Sequence, residues 1–232
     1  MMTKSISRGI SRRRSRQGGY EIMEFALMAV FLVPAFLWMF INGFNLVRFN
    51  QANEVNRDLG NLYIKGTDFS TYASQALAAR LATGYSLTVS SFTGNQHTNN
   101  SGAGNGYVVL SQIMYVGPAN GHTCQPVAPN CTNHDSYVYL QHIDFGNSGL
   151  QFNNNTVASQ LGGSVASATT NTSGFVQNYL TDSHAVATNV PSLMASQFAD
   201  GQIAYVVETF FASPQLDISG LPGGGLYGRT FF

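Results

Sequence analysis

Glu24 stands at the mouth of the longest apolar run in the chain, shortly after the pair Gly18-Gly19 and Tyr20, and directly before Phe25. A carboxylate at the edge of hydrocarbon is costly, and tolerating it takes a partner charge or a helix N-terminus. A second group of reactive residue types lies in HTCQPVAPNCTNH, where Cys124 and Cys131 enclose a stretch rich in proline and asparagine. Three readings are open, one of which leaves both thiols free. In an oxidising compartment the cysteines close a short local disulfide, which is the preferred expectation. The alternative is a metal array, His122, Cys124, Cys131 and His134, with suitable ligand types but a spacing outside the common zinc patterns.

Other chemistry is sparse. GNSG (146–149) is one residue short of a nucleophile elbow, and GAGNG (102–106) lacks the dinucleotide fingerprint and its strand–helix context. His97, His122, His134, His142 and His184 are scattered and read as structural histidines. The acids Asp135, Asp144, Asp182, Asp200, Glu208 and Asp217 form no pair that spacing can justify. No nucleophile and base can be named together, so neither an enzyme nor a cofactor is expected.

The elements that carry these residues begin with charge. The chain has 232 residues, with 11 Lys and Arg balanced by 11 Asp and Glu. The balance hides an asymmetry: Lys4, Arg8, Arg12, Arg13, Arg14 and Arg16 all precede the first acid, Glu21. From Tyr20 onward five basic residues face eleven acidic ones, a formal charge of −6. No Lys or Arg lies between Arg80 and Arg229, so that part cannot neutralise phosphates, and nucleic acid is not an expected partner. No charge interrupts Phe25 to Val47, 23 residues. At about 1.5 Å per residue a helix of that length crosses the ~30 Å hydrocarbon core of a membrane. The basic leader places the N-terminus in the cytoplasm, and the C-terminal part is then exported.

Apolar residues continue beyond Arg48 at helical spacing (Phe49, Ala52, Val55, Leu59, Leu62), and Lys65-Gly66 reads as a C-terminal cap. One helix is expected from Tyr20 to Lys65. A second is expected from Phe69 to Thr83, capped by Asp68 or Ser70, with Phe69, Tyr72, Ala76, Leu77 and Leu81 as its apolar face. Strands are expected at 85–92, 107–117, 136–145 and 202–212, with a last one at 226–232. A weaker helical stretch covers 190–198, and 162–173 reads as a loop. Helices first and strands later give an α+β class: a long N-terminal transmembrane and amphipathic helix, then a head with a second helix and a mostly antiparallel sheet. The expected organisation is a leader (1–19), the long helix (20–66) and an exported head (67–232).

A basic leader, Gly18-Gly19, Tyr20, a glutamate at the fifth position counted from Tyr20, then Phe25 and an apolar helix together resemble the processing site of type IV pilin-like proteins. The order Glu-Phe-Ala-Leu, internal Pro34, Gly43-Phe44 and QANEVNRDLGNLYIKG (51–66) is similar to the TadE-like family, pseudopilins of the tight-adherence (Flp) pilus. This likeness covers about residues 16–66. It implies cleavage after Gly19 by a prepilin peptidase. It also implies partners among membrane lipid, other pilins and pilus assembly proteins, and a minor role in pilus assembly, surface attachment or secretion. Glu24 would then pair with the α-amine that cleavage frees on a neighbour's Tyr20, so that neither charge is buried alone. The rival expectation is an uncleaved single-span protein whose head binds a ligand or polysaccharide.

Overall fold

The computed structural model describes residues 18–84, 104–125, 127, 129–147, 149–152, 155–156, 158–190, 198–212 and 225–232. Helix α1 spans Gly18–Ile64 and helix α2 Tyr72–Gly84. The strands are β1 (Gly106–Val116), β2 (Ser136–Gly146), β3 (Gln151–Phe152), β4 (Asn155–Thr156), β5 (Ile203–Ala212) and β6 (Gly225–Phe231). The main sheet has the order β2-β1-β5-β6 with every pairing antiparallel, and β3 with β4 forms a separate small ribbon. The class is α+β, as the order of helical and strand patterns implies. The expected strand at 85–92 lies outside the described residues. So does most of the helical stretch expected at 190–198, while Val190 and Phe198 at its ends are not helical.

The chain divides into two compact units, Met1–Asn45 and Leu46–Phe232. In the first, α1 runs through Pro34 without a break, and Asn42 Nδ2 donates to Trp38 O at 2.7 Å, so the amide is satisfied within its own helix. In the second, the end of α1 is part of the head. Ala52, Val55, Leu59 and Tyr63 are buried with Val108, Leu110, Ile143, Phe145, Val207 and Phe211, which share one face of the sheet. The helix stops just before Gly66. The end is a Schellman cap: Thr67 N donates to Leu62 O, Gly66 N donates to Tyr63 O, and Gly66 takes a φ of +84°.

Helix α2 starts three residues later than expected. Asp68 Oδ1 accepts from Ser70 N at 2.9 Å, and Thr71 Oγ1 accepts from Ser74 N. Thr71 thus caps the helix and leaves Phe69 ahead of it, fully buried. The buried face is Gln75, Ala78 and Ala82, whereas Tyr72 and Leu77 are exposed. Small side chains let α2 approach the core, and Gln75 is tolerated there because its Nε2 donates to Phe69 O at 2.9 Å.

The other sheet face is covered by irregular chain drawn from within 159–190, with single 3-10 turns at Val165–Ser167 and Ser183–Ala185. Leu161, Val165, Val176, Ala185 and Ala187 pack there on Ile113, Tyr137, Tyr139, Ala204 and Val206. β1 and β5, covered on both faces, are therefore apolar almost throughout.

Candidate functional site

Gly18, Gly19, Tyr20, Glu24 and Phe25 all fall on the opening turns of α1. Tyr20, Glu24 and Phe25 are exposed, and Glu24 has no ion-pair or hydrogen-bond partner among the described residues. Ile22, Phe25, Phe31, Leu32, Phe36 and Trp38 are each more than 60% exposed and point to all sides of the helix. At about 1.5–3 kcal/mol per large apolar side chain removed from water, these six favour an apolar surrounding by on the order of 10 kcal/mol. α1 is long and apolar enough to cross a membrane, and none of its apolar window is buried within the chain.

Cys124 and Cys131 form a disulfide with their Cα atoms 5.5 Å apart. The bridge packs on Met114, Val116 and Val138. Its sulfurs are bonded to each other, which removes the thiolates that the metal reading of His122, Cys124, Cys131 and His134 requires. His134 Nδ1 lies 3.1 Å from Asp135 Oδ2. Asp200 ties the loop down by accepting from Gly117 N, Thr123 N and Thr123 Oγ1. These bonds, the Thr123 hydroxyl foremost, hold its carboxyl below the usual range.

The head gathers acids that spacing alone did not connect. Asp144 on β2 and Glu208 on β5 both lie opposite Val109 of β1, so the two carboxyls share the face under the irregular layer. Glu208 is fully buried and accepts from Ser159 Oγ (2.5 Å), Tyr227 Oη (2.7 Å) and Gln160 N (2.9 Å). Three donors stabilise a buried carboxylate and pin residues 159–160 to the sheet. Asp144 is less well served. Tyr107 Oη donates to Oδ2 at 2.5 Å, but Oδ1 is buried without a partner, and burial pushes this carboxyl up to about 6. Its neighbour His142, with Nδ1 3.2 Å from Ser111 Oγ, is pushed down to about 4 by burial. Among the described residues no hydrogen bond joins His142 to Asp144. Ser111 is only 1% exposed. The cluster acts as a buried polar tie between the sheet and the layer above it.

A bulge brings Tyr139 and His142 onto this face together. The β1–β2 register passes from Gln112↔Gln141 to Ile113↔Tyr139, which leaves Leu140 as the extra residue. The rings of Tyr139 and His142 then meet edge to face at 5.6 Å. With Tyr107, Asp144 and Ser159 they line a cavity of about 150 Å³ beneath 162–166.

No family model, curated protein or solved structure matches this chain.

Proposed function

We propose that the chain is a pilin-like subunit of the TadE-like kind, a minor component acting in assembly or surface attachment of a tight-adherence pilus. The observation that supports this best is the division of labour along α1. The helix is continuous from Gly18 to Ile64; its beginning exposes apolar side chains all round, and its end is built into the core of the head. A filament of pilin-like subunits needs both properties: an apolar rod that leaves lipid to pack against other rods, and a head borne on the same helix. Glu24, exposed and without a partner among the described residues, supports the charge-pairing role. In lipid the carboxylate stays at the headgroup level, and in a packed bundle an α-amine on a neighbour's Tyr20 neutralises it. The basic leader keeps the N-terminus in the cytoplasm until the peptidase cuts after Gly19.

The test is the N-terminus of the membrane-extracted protein, read by intact mass in cells with and without the prepilin peptidase. A chain beginning at Tyr20 only where the peptidase is present is expected. A leader that persists in both strains sinks the proposal and leaves an uncleaved anchor. In the same cells Glu24→Ala is expected to be cleaved normally but to be depleted from sheared surface filaments. Unchanged incorporation would remove the pairing role.

A further inference from the structure

The larger described pocket lies on the opposite side of the sheet from the buried acids, where the helical layer ends. Its volume is about 380 Å³, within the range of roughly 300–1,000 Å³ usual for small-molecule sites. Gln141, Gln112 and Tyr205 form one cross-strand row over β2, β1 and β5 and make the floor. Tyr63 and the turn Gly66–Asp68 make one wall, and Ser173 and Phe175 the other.

The chemistry of this lining is narrow. Apart from the tyrosines, Asp68 is the sole ionisable group in it among the described residues, exposed at the rim and already accepting from Ser70 N. Among the described residues no lysine, arginine or histidine lines the pocket, which disfavours an anion. One exposed carboxylate holds a cation weakly. The floor carries two amides, which argues against a purely apolar occupant, since covering an unpaired amide costs about 1–3 kcal/mol. An amide both donates and accepts, as a sugar hydroxyl does.

The two glutamines differ in a way that points to a ligand. Gln141 is held: Tyr63 Oη donates to its Oε1 at 2.7 Å, and its Nε2 donates to Ser173 O at 2.7 Å. Gln112 makes only a long 3.4 Å contact from Nε2 to Tyr205 Oη, and its Oε1 accepts no hydrogen bond among the described residues. The aromatic side is equally prepared. Tyr63 and Tyr205 meet edge to face at 5.2 Å, and Phe175 stands at the rim, 44% exposed. The Phe175 loop is set in place, because Asn171 Oδ1 accepts from Ser173 N and Phe175 N. Gly174, at a φ of +75°, lets the loop approach the His142 carbonyl, which a Cβ would meet at 2.7 Å.

We propose that this pocket binds a neutral sugar unit, with Gln112 and Tyr205 bonding its hydroxyls and Phe175 covering a C–H face of the ring. The proposal goes beyond the pilus reading and rests on the head alone, so either can fail without the other.

The test uses the full chain in micelles of lauryldimethylamine oxide, a detergent that carries no sugar. Saturation-transfer NMR is run with methyl β-galactopyranoside, methyl α-glucopyranoside and N-acetylglucosamine, with galacturonate as the charged comparison. Transfer to the ring protons of at least one neutral sugar, stronger than to galacturonate, is expected. Gln112→Leu and Phe175→Ala are each expected to weaken binding three- to tenfold, the worth of about one hydrogen bond or ring contact. Phe175 is exposed, so its variant stays folded and decides the matter if Gln112→Leu does not fold. No transfer to any of the three sugars, a preference for galacturonate, or transfer undiminished in Phe175→Ala would each overturn the proposal.

Discussion

Replacing Asp144 by asparagine is expected to expose a pH dependence that Asp144 and His142 cancel between them in the native chain. Burial raises the Asp144 carboxyl from 3.8 to about 6, so the folded state favours its proton. Its contribution to stability is complete below the unfolded value of 3.8 and is lost as pH rises through about 6. His142 runs the other way. Burial lowers it from 6.5 to about 4, so the folded state favours the neutral ring; that stability is complete above 6.5 and is lost as pH falls through about 4. At about 1.4 kcal/mol per tenfold change, each group carries roughly 3 kcal/mol over nearly the same window with opposite sign. In the native chain the two slopes offset one another. Asp144→Asn keeps an acceptor for the Tyr107 hydroxyl but removes one slope. Relative to the native chain, the variant is expected to lose about 3 kcal/mol between about pH 7 and pH 4 as His142 takes its proton only on unfolding. His142→Gln is expected to tilt the profile the opposite way. Urea midpoints of the full chain in micelles, followed by near-ultraviolet circular dichroism across this range, read the difference directly. Parallel profiles for the native chain and Asp144→Asn would refute the reasoning, because the carboxyl would then titrate alike in the folded and unfolded states.

Leu59→Ala tests whether the end of α1 belongs to the head. Leu59 is fully buried against the sheet, so a loss of about 2–5 kcal/mol in urea unfolding is expected, and a loss below about 1 kcal/mol would place the residue outside a packed core. Cys124→Ser opens a bridge of sequence separation 7 and is expected to cost about 2–3 kcal/mol. Non-reducing peptide mapping of the native protein is expected to link Cys124 to Cys131, and two alkylatable thiols in exported protein would contradict it.

The long helix was legible because several local signals agree: an uninterrupted apolar run, helical spacing after Arg48, and Lys65-Gly66 where the Schellman cap forms. The strands at 106–116, 136–146, 203–212 and 225–231 were legible within a residue or two for the same reason, since β-branched and aromatic runs stand between Gly- and Asn-rich segments. The face of α2 was not. Of its larger apolar residues Tyr72 and Leu77 look outward and only Leu81 packs on the core, partly buried, beside the buried Ala78 and Ala82.

The polar groups of the head were hidden for a more general reason. Asp144 and Glu208 meet only because both lie opposite Val109, and register is a tertiary fact that no spacing along one strand contains. β2 adds a second obstacle. A period of two assigns Tyr139 and Gln141 to one face and His142 to the other. The extra residue at Leu140 breaks that parity and sends Tyr139 and His142 together toward the buried acids, while Gln141 turns with Gln112 to the floor of the large pocket. One bulge therefore sorts the polar residues of β2 between two sites of different character. On one face lie the titrating groups whose slopes offset each other. On the other lies an uncharged row in which Gln112 Oε1 accepts no hydrogen bond among the described residues, and removing the bulge would disturb both at once.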